Sequence, residues 1–341
     1  MGKGSVFSSL YDQFGAAPPL ARADLKGKTV IVVGANTGLG FEATQHFATM
    51  GCEKLILACR SQEKGEAAIQ RLAAATSYSQ AELWLVDLAD FLSVRNFIDR
   101  ALKELERLDI LLLNAAIAPA GRYNLTKDGW EETIQVNNIS ISLLALRLLP
   151  HMFDTAKKFR TTPRLVIVSS DVHFWTTLED KAIKSSNTLK LLSDKEYCTP
   201  KIFRVRYLDS KLLNVFFARA LNSHLKDQSI IVNTVNPAFC YSELRRGRTG
   251  IGNSLFEWLF ARTAEEGSRQ LVFAAVGVPE GPGGLETLKG GYIHMSRVTE
   301  PSDFVLGEDG KKREDKLWDD LLAILRDVDP HVGDVVSQYL V

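Results

Sequence analysis

Hydrophobic residues along the chain fall into short continuous runs separated by longer segments with a single apolar stripe. The runs are TVIVV (29–33), KLILAC (54–59), ELWLVDL (82–88), DILLLN (109–114), RLVIVSS (164–170) and SIIVNTVN (229–236), with YIHM (292–295) as a seventh. Apolar residues at successive positions require cover on both faces, as in a buried parallel strand. The amphipathic segments 39–50, 62–75, 91–107, 127–149 and 207–226 lie between them. Strand-helix alternation predicts right-handed crossovers and an α/β doubly wound parallel sheet of about seven strands with helices on both faces.

Departures from this rhythm mark the boundaries. Residues 1–25 are polar and Gly/Ala-rich with Pro18 and Pro19, and read as an N-terminal arm. Residues 26–300 read as one domain, with insertions at 171–206 and 238–268. Both insertions follow strands, where ligands bind in open α/β sheets. Residues 301–341 read as a C-terminal helical extension packed on the domain. Within it KLWDDLLAIL places Leu317, Leu321 and Leu325 on one face.

Composition narrows the function classes. The 341 residues are 45% hydrophobic, ample for a large core, and 41 basic residues cancel 41 acidic ones. That balance argues against a nucleic-acid partner. Cys52, Cys59, Cys198 and Cys240 are scattered with no C-x-x-C pair, so no metal site is expected and a reducing compartment is. The start MGKGSVFSSL lacks the apolar run of a secretory signal, and Ser5 and Val6 put a Gly2 myristoylation motif off by one. No apolar stretch reaches the ~18 residues of a transmembrane segment. A cytoplasmic monomer or homodimer is expected.

The first run leads directly into Gly34-Ala35-Asn36-Thr37-Gly38-Leu39-Gly40 and then a helical segment. Glycines at these spacings let backbone turn tightly and approach a pyrophosphate, which the N–H groups of the following helix attract. The second run ends Cys59-Arg60-Ser61, where an acid would favour NAD. The Arg60 guanidinium instead suits a 2′-phosphate, so NADP(H) is the expected cofactor. Asp87, after the third run, is placed either to bond an adenine amino group with Leu88 as apolar cover, or to cap a helix, a role for which Asp90 is better placed.

Tyr207-Leu208-Asp209-Ser210-Lys211 puts Tyr and Lys on one face of a helix. A nearby ammonium lowers a phenol pKa, so the pair can exchange a proton with a substrate oxygen. Ser169-Ser170 supplies a hydroxyl at the end of the fifth run, and Asn114-Ala115-Ala116 ends the fourth with small residues. Asn137 lies inside a helical segment, where it is placed to hold a water or open a backbone carbonyl.

Together these residues resemble the short-chain dehydrogenase/reductase family over roughly residues 25–300, with a Rossmann-type fold. ACRSQEKGEAA and YLDSKLLNVFFARAL resemble its retinol-dehydrogenase and protochlorophyllide-reductase-like branch, which generally uses NADP(H). The resemblance implies that Tyr207 is the proton donor, Lys211 its activator and ribose anchor, Ser170 rather than Ser169 the carbonyl-orienting group, and Asn137 the support of a water relay. The family's threonine before the first glycine is Val33 here, and the last glycine of its N-N-A-G is Ala116. Its P-G-x-x-x-[ST] appears as Pro237-Ala238 with Ser242 at the hydroxyl position, which implies contact with the nicotinamide carboxamide. Phe174, Trp175, Phe203, Phe239, Tyr241, Phe256 and Trp258, all within the insertions, are placed to line an apolar pocket. The implied activity is hydride transfer between NADP(H) and a carbonyl or alcohol of a bulky apolar molecule, such as a ketone or aldehyde in secondary metabolism. The alternatives are a non-redox isomerase, dehydratase or cyclase on the same scaffold, and a non-catalytic NADP(H)-binding regulator.

Overall fold

The sheet grows outward in both directions from the first apolar run. The computed structural model describes residue 13 and residues 15–119, 121–240 and 261–341. Its strands are β1 (Thr29–Val33), β2 (Lys54–Cys59), β3 (Ala81–Leu85), β4 (Ile110–Leu113), β5 (Arg164–Val168), β6 (Ile231–Asn236), β7 (Tyr292–His294) and β8 (Arg297–Thr299). They lie in the order β3-β2-β1-β4-β5-β6-β7-β8. The first seven are parallel, and β8 returns antiparallel to β7. The doubly wound sheet is as expected, with one strand more than about seven. β8 is three residues long with both end residues exposed, so it leaves no apolar run in the sequence.

Helices cover both faces. On one side lie α1 (Gly38–Thr49), α2 (Gln62–Thr76) and, late in the chain, Ala264–Val276; the other side carries α3 (Phe91–Glu104). Strand alternation divides the interior between the faces: Val30 and Val32 join one core, Ile31 and Val33 the other. Full burial of each such side chain contributes about 1.5–3 kcal/mol.

Three expected boundaries shift. The third run stops pairing at Leu85 rather than 88. The segment expected as one helix over 127–149 is α4 (Glu132–Ile134), a π turn (Gln135–Ile139) and α5 (Ser140–Phe159). The helix passes through Pro150 and continues because Met152, Phe153 and Ala156 beyond it are buried. That packing outweighs the ~3 kcal/mol cost of an interior proline. The insertion at 171–206 is largely helical: a 3-10 turn (Asp171–Trp175), α6 (Asp180–Ile183), α7 (Thr188–Ser193) and the first turns of α8 (Pro200–His224). α8 therefore starts seven residues before Tyr207. Thr199 caps it by accepting the Ile202 N–H, and Pro200 fits its first turn.

After α9 (Ala264–Val276), the C-terminal segment forms α10 (Gly307–Val328) and α11 (His331–Tyr339). Leu317, Leu321 and Leu325 are all buried, in the same core as α5 and α8. Trp318 stacks on Phe217 and His224, and Tyr339 on Phe153. A buried Arg147–Asp329 pair, 2.7 Å, joins α5 to the α10–α11 corner. Burial alone would raise the Asp329 carboxyl, but the Arg147 and His331 hydrogen bonds hold it below its usual range. Among the described residues, no helix is long and apolar enough to cross a membrane.

Candidate active site

The glycine loop is held by backbone. Gly34 has φ 82° and Gly38 φ 58°, a region open to glycine at little cost. The Gly34 N–H donates to the Ala58 carbonyl (2.8 Å), and its own carbonyl accepts from Asn114 Nδ2 (2.9 Å). A Cβ on Gly40 would strike the Gly34 carbonyl and come within 2.6 Å of that Asn114 amide; one on Gly34 would come within 2.8 Å of Ala115. At Gly38 a Cβ would meet nothing within 4 Å, so the backbone there faces open space. Thr37 is the N-cap of α1 and makes no side-chain cap, leaving the N–H groups of the first turn free of it. Two crowded glycines shape the loop and a third leaves room beside a helix N-terminus, so the loop fits a dinucleotide pyrophosphate.

Arg60, exposed at the end of β2, lies alongside this loop because Val33 pairs with Ala58 two residues earlier. Asp87 accepts the Ala89 N–H through Oδ1 (2.9 Å), and Asp90 rather than Asp87 caps α3, accepting from Leu92 N–H. Leu88 is buried in the core, and its carbonyl accepts from Ser140 Oγ (2.6 Å). The amides of Asn114 and Ala115 both bond the Val33 carbonyl, so the end of β4 lies against the start of the loop. Leu39 is half-buried against the core under the loop.

The Tyr-Lys pair sits at the carboxyl end of β5. Lys211 is fully buried and donates to the Val168 carbonyl at 2.9 Å, with its Nζ 5.6 Å from the centroid of the Tyr207 ring. Burial pushes its ammonium down to about 7. Tyr207 is half-buried. The two serines diverge: Ser169 is buried and donates to the Lys211 carbonyl (2.8 Å), pinning α8 to the strand. Ser170 is half-exposed; its Oγ donates to Asp171 Oδ1 (3.1 Å) and accepts the Val172 N–H at the start of the 3-10 turn. Of the two, Ser170 is the one that a ligand can reach.

The Asn137 side chain is held on both sides. Oδ1 accepts the Ile117 N–H (2.8 Å), and Nδ2 donates to the Ile117 carbonyl (2.8 Å) and to Ser210 Oγ (3.0 Å). Ser210 in turn donates to the Tyr207 carbonyl (2.7 Å). The asparagine therefore clamps the loop after β4 to the turn that carries Tyr207. A π turn, Gln135–Ile139, surrounds it.

Sequence reasoning missed a buried frame around this site. Arg206, next to Tyr207, is fully buried, 3.7 Å from Glu131, 3.9 Å from Asp209 and 3.2 Å from Cys198 Sγ. Burial raises the Asp209 carboxyl to about 6, against the Thr176 hydrogen bond and the Arg206 charge. His173 accepts the Ser302 N–H at Nε2 (3.1 Å), so Nδ1 carries the proton bonded to the Ser170 carbonyl (2.7 Å). Burial pushes this imidazole down to about 4, against the Ser170 hydrogen bond, and it stays neutral. Beside it an open cavity of about 750 Å³ is lined by Phe174, Phe304 and Leu306 together with the charged Asp303, Glu308, Asp309 and Arg313. Of the expected pocket aromatics, Phe174 borders this cavity, Trp175 is 45% exposed and Phe203 is buried. The backbone of Phe239 bonds the Gln13 side chain. Tyr241, Phe256, Trp258 and Ser242 lie outside the described residues. The signals for this frame were faint: a histidine three residues after Ser170, and a Thr-Pro step at 199–200 that starts α8 early. Among the described residues, no group of three or more His, Cys, Asp or Glu could hold a metal ion.

The short chain dehydrogenase family model matches residues 28–175. The short chain dehydrogenase/reductase dmxR8 of Cryptosporiopsis sp. (strain 8999) is 37% identical over 327 residues, covering 95% of this chain and 98% of that one. This chain belongs to the short-chain dehydrogenase/reductase family. The short chain dehydrogenase sol3 of Alternaria solani is 39% identical over 261 residues, covering 76% of this chain and 88% of that one. A solved short chain dehydrogenase from Burkholderia cenocepacia J2315, in complex with NADP, shares the fold with a TM-score of 0.57 at 19% identity, covering 80% of this chain and 97% of that one. In this short-chain dehydrogenase/reductase the two alanines at family glycine positions differ. Ala116 does not take a positive φ, whereas Ala238 has φ 66°, the left-handed region that favours glycine.

Proposed function

We propose that this chain is an NADP(H)-dependent oxidoreductase that acts, mainly as a reductase, on a carbonyl of a bulky apolar molecule. The observation that carries the reading is the buried Lys211 ammonium, held on the Val168 carbonyl against the Tyr207 ring beside Ser170. When bound, NADPH supplies a hydride to the carbonyl carbon. The Tyr207 hydroxyl donates its proton to the carbonyl oxygen, and Ser170 hydrogen-bonds that oxygen. Lys211, with a pKa of about 7, stabilises the phenolate and exchanges a proton near neutral pH.

Asn137, tied through its side chain to Ser210 and the Ile117 loop, supports the water relay toward Lys211. Gly34, Asn36, Thr37, Gly38, Leu39 and Gly40 form the pyrophosphate cradle and Arg60 takes the 2′-phosphate. Asp87 receives the adenine amino group, with the Leu88 backbone beside it. Asn114, Ala115 and Ala116 border the nicotinamide, and Pro237 and Ser242 hold its carboxamide. A cytoplasmic location fits the four cysteines, all free.

Fluorescence titration with NADPH and NADH tests the reading. Binding of NADPH at least about tenfold tighter than NADH supports it. Equal affinities overturn the role of Arg60, and failure to bind either overturns the redox assignment.

A further inference from the structure

We propose that Arg71, on the neighbouring helix α2, is a positioning residue for the cofactor loop. It braces the stretch between the two positive-φ glycines from below. Arg71 lies far outside the glycine motif in sequence. Its Nη2 nevertheless donates to the Asn36 carbonyl at 2.6 Å, and its guanidinium stacks 4.2 Å over the Phe41 ring in the first turn of α1. One side chain therefore ties α2, the loop and the start of α1 together.

The loop needs such a tie. Gly34 and Gly38 flank it with φ 82° and 58°, and glycines lose the most conformational freedom on ordering. Val33 before the loop has no polar side chain, and Thr37 makes no cap to α1. The loop is anchored at Gly34 by Ala58 and Asn114; at Asn36 the anchor is Arg71. The guanidinium is suited to this because its planar donor fork can hold a carbonyl while its face stacks on an aromatic ring. Glu42 feels the Arg71 charge, but its carboxylate accepts the Gln45 amide (2.6 Å). Arg71 thus keeps its hydrogen bond to the loop without an ion pair to an acid among the described residues.

The inference builds on the NADP(H) reading and makes a different claim from Arg60. Arg60 is assigned to the 2′-phosphate, which only NADP(H) carries. A brace acts on the loop that meets the pyrophosphate, which both dinucleotides carry.

The test compares the full-length wild type with Arg71→Ala, Arg71→Lys and Arg60→Ala. The first measurement is amide hydrogen exchange over residues 34–40 with no ligand added. Arg71→Ala is expected to speed exchange there about tenfold while the strands stay protected. The second is the Kd for NADPH and for NADH. Arg71→Ala is expected to weaken both by a similar factor, about five- to tenfold, and Arg71→Lys to recover part of that loss. Arg60→Ala is expected to weaken NADPH alone. Unchanged loop exchange in Arg71→Ala overturns the brace, as does a loss confined to NADPH, which would make Arg71 a phosphate contact. Wild-type protein that binds neither dinucleotide overturns the NADP(H) reading, while the exchange measurement still decides the brace.

Discussion

Around β1 and β2 the site is made of backbone: three glycines, a helix start with no side-chain cap, and amides of Asn114 and Ala115 on one carbonyl. Around β5 and α8 it is made of buried side chains: Lys211, Ser169, Asn137, Arg206 and His173, each tied to an element distant in sequence. The first half depends on what is missing from its side chains, so its weak point is added volume. The second depends on polar groups held out of water, so its weak points are lost partners and proton balance.

The largest test of this contrast is at the second half. Tyr207→Phe is expected to lower NADPH-dependent turnover about a thousandfold with the NADPH Kd unchanged. Stopped-flow turnover beside a fluorescence titration measures both, and retained turnover would remove Tyr207 from the chemistry.

Lys211 tests proton balance. Its folded pKa of about 7 lies below its ordinary 10.5, so the unfolded chain binds more protons between these values. Stability from this group therefore rises with pH across that window, and its full cost is present below pH ~7. From pH 7 to 9 the wild type is expected to gain on the order of 2–3 kcal/mol relative to Lys211→Met. Urea unfolding at both pH values measures this, and parallel curves would show that the lysine is not desolvated.

The first half should fail through volume. Gly40→Ala pushes a methyl into the Gly34 carbonyl and is expected to cost about 2–3 kcal/mol and to abolish tight NADPH binding. Chemical denaturation with a cofactor titration measures it, and a tolerated alanine would show that the loop is less close-packed than its geometry. The smallest effect sharpens the contrast from the other side. Ala238→Gly, at φ 66°, is expected to stabilise the protein by about 0.5–1 kcal/mol, the relief of left-handed strain less the entropy of glycine. An unchanged urea midpoint would mean that the strain is already relieved.

The two halves also differ in how far they could be read from the chain. The six long strands and the glycine loop were legible because each is a local pattern of continuous apolar residues or fixed glycine spacing. Tyr207 and Lys211 were legible as a helical pair, and the surroundings that make the lysine unusual were not. Asn137 was noticed as an odd residue in a helix, but its partners Ile117 and Ser210 are 20 and 73 positions away. Arg71 carried no local signal because its carbonyl partner is 35 positions earlier.

The sequence by itself determined the layers of the fold, the place of the glycine loop and the residue types at the carboxyl edge of the sheet. Periodicity reports which faces must leave water, and glycine spacing reports where backbone must come close. Only the tertiary structure showed that Ser169 pins α8 to β5 and that Asn137 is a clamp. It alone decided that the C-terminal helices complete the core over α8, and that an alanine sits where φ favours glycine. Those outcomes depend on distant segments meeting at the ends of parallel strands. Burial and hydrogen-bond geometry there are set by packing between elements, and local propensity carries no record of it.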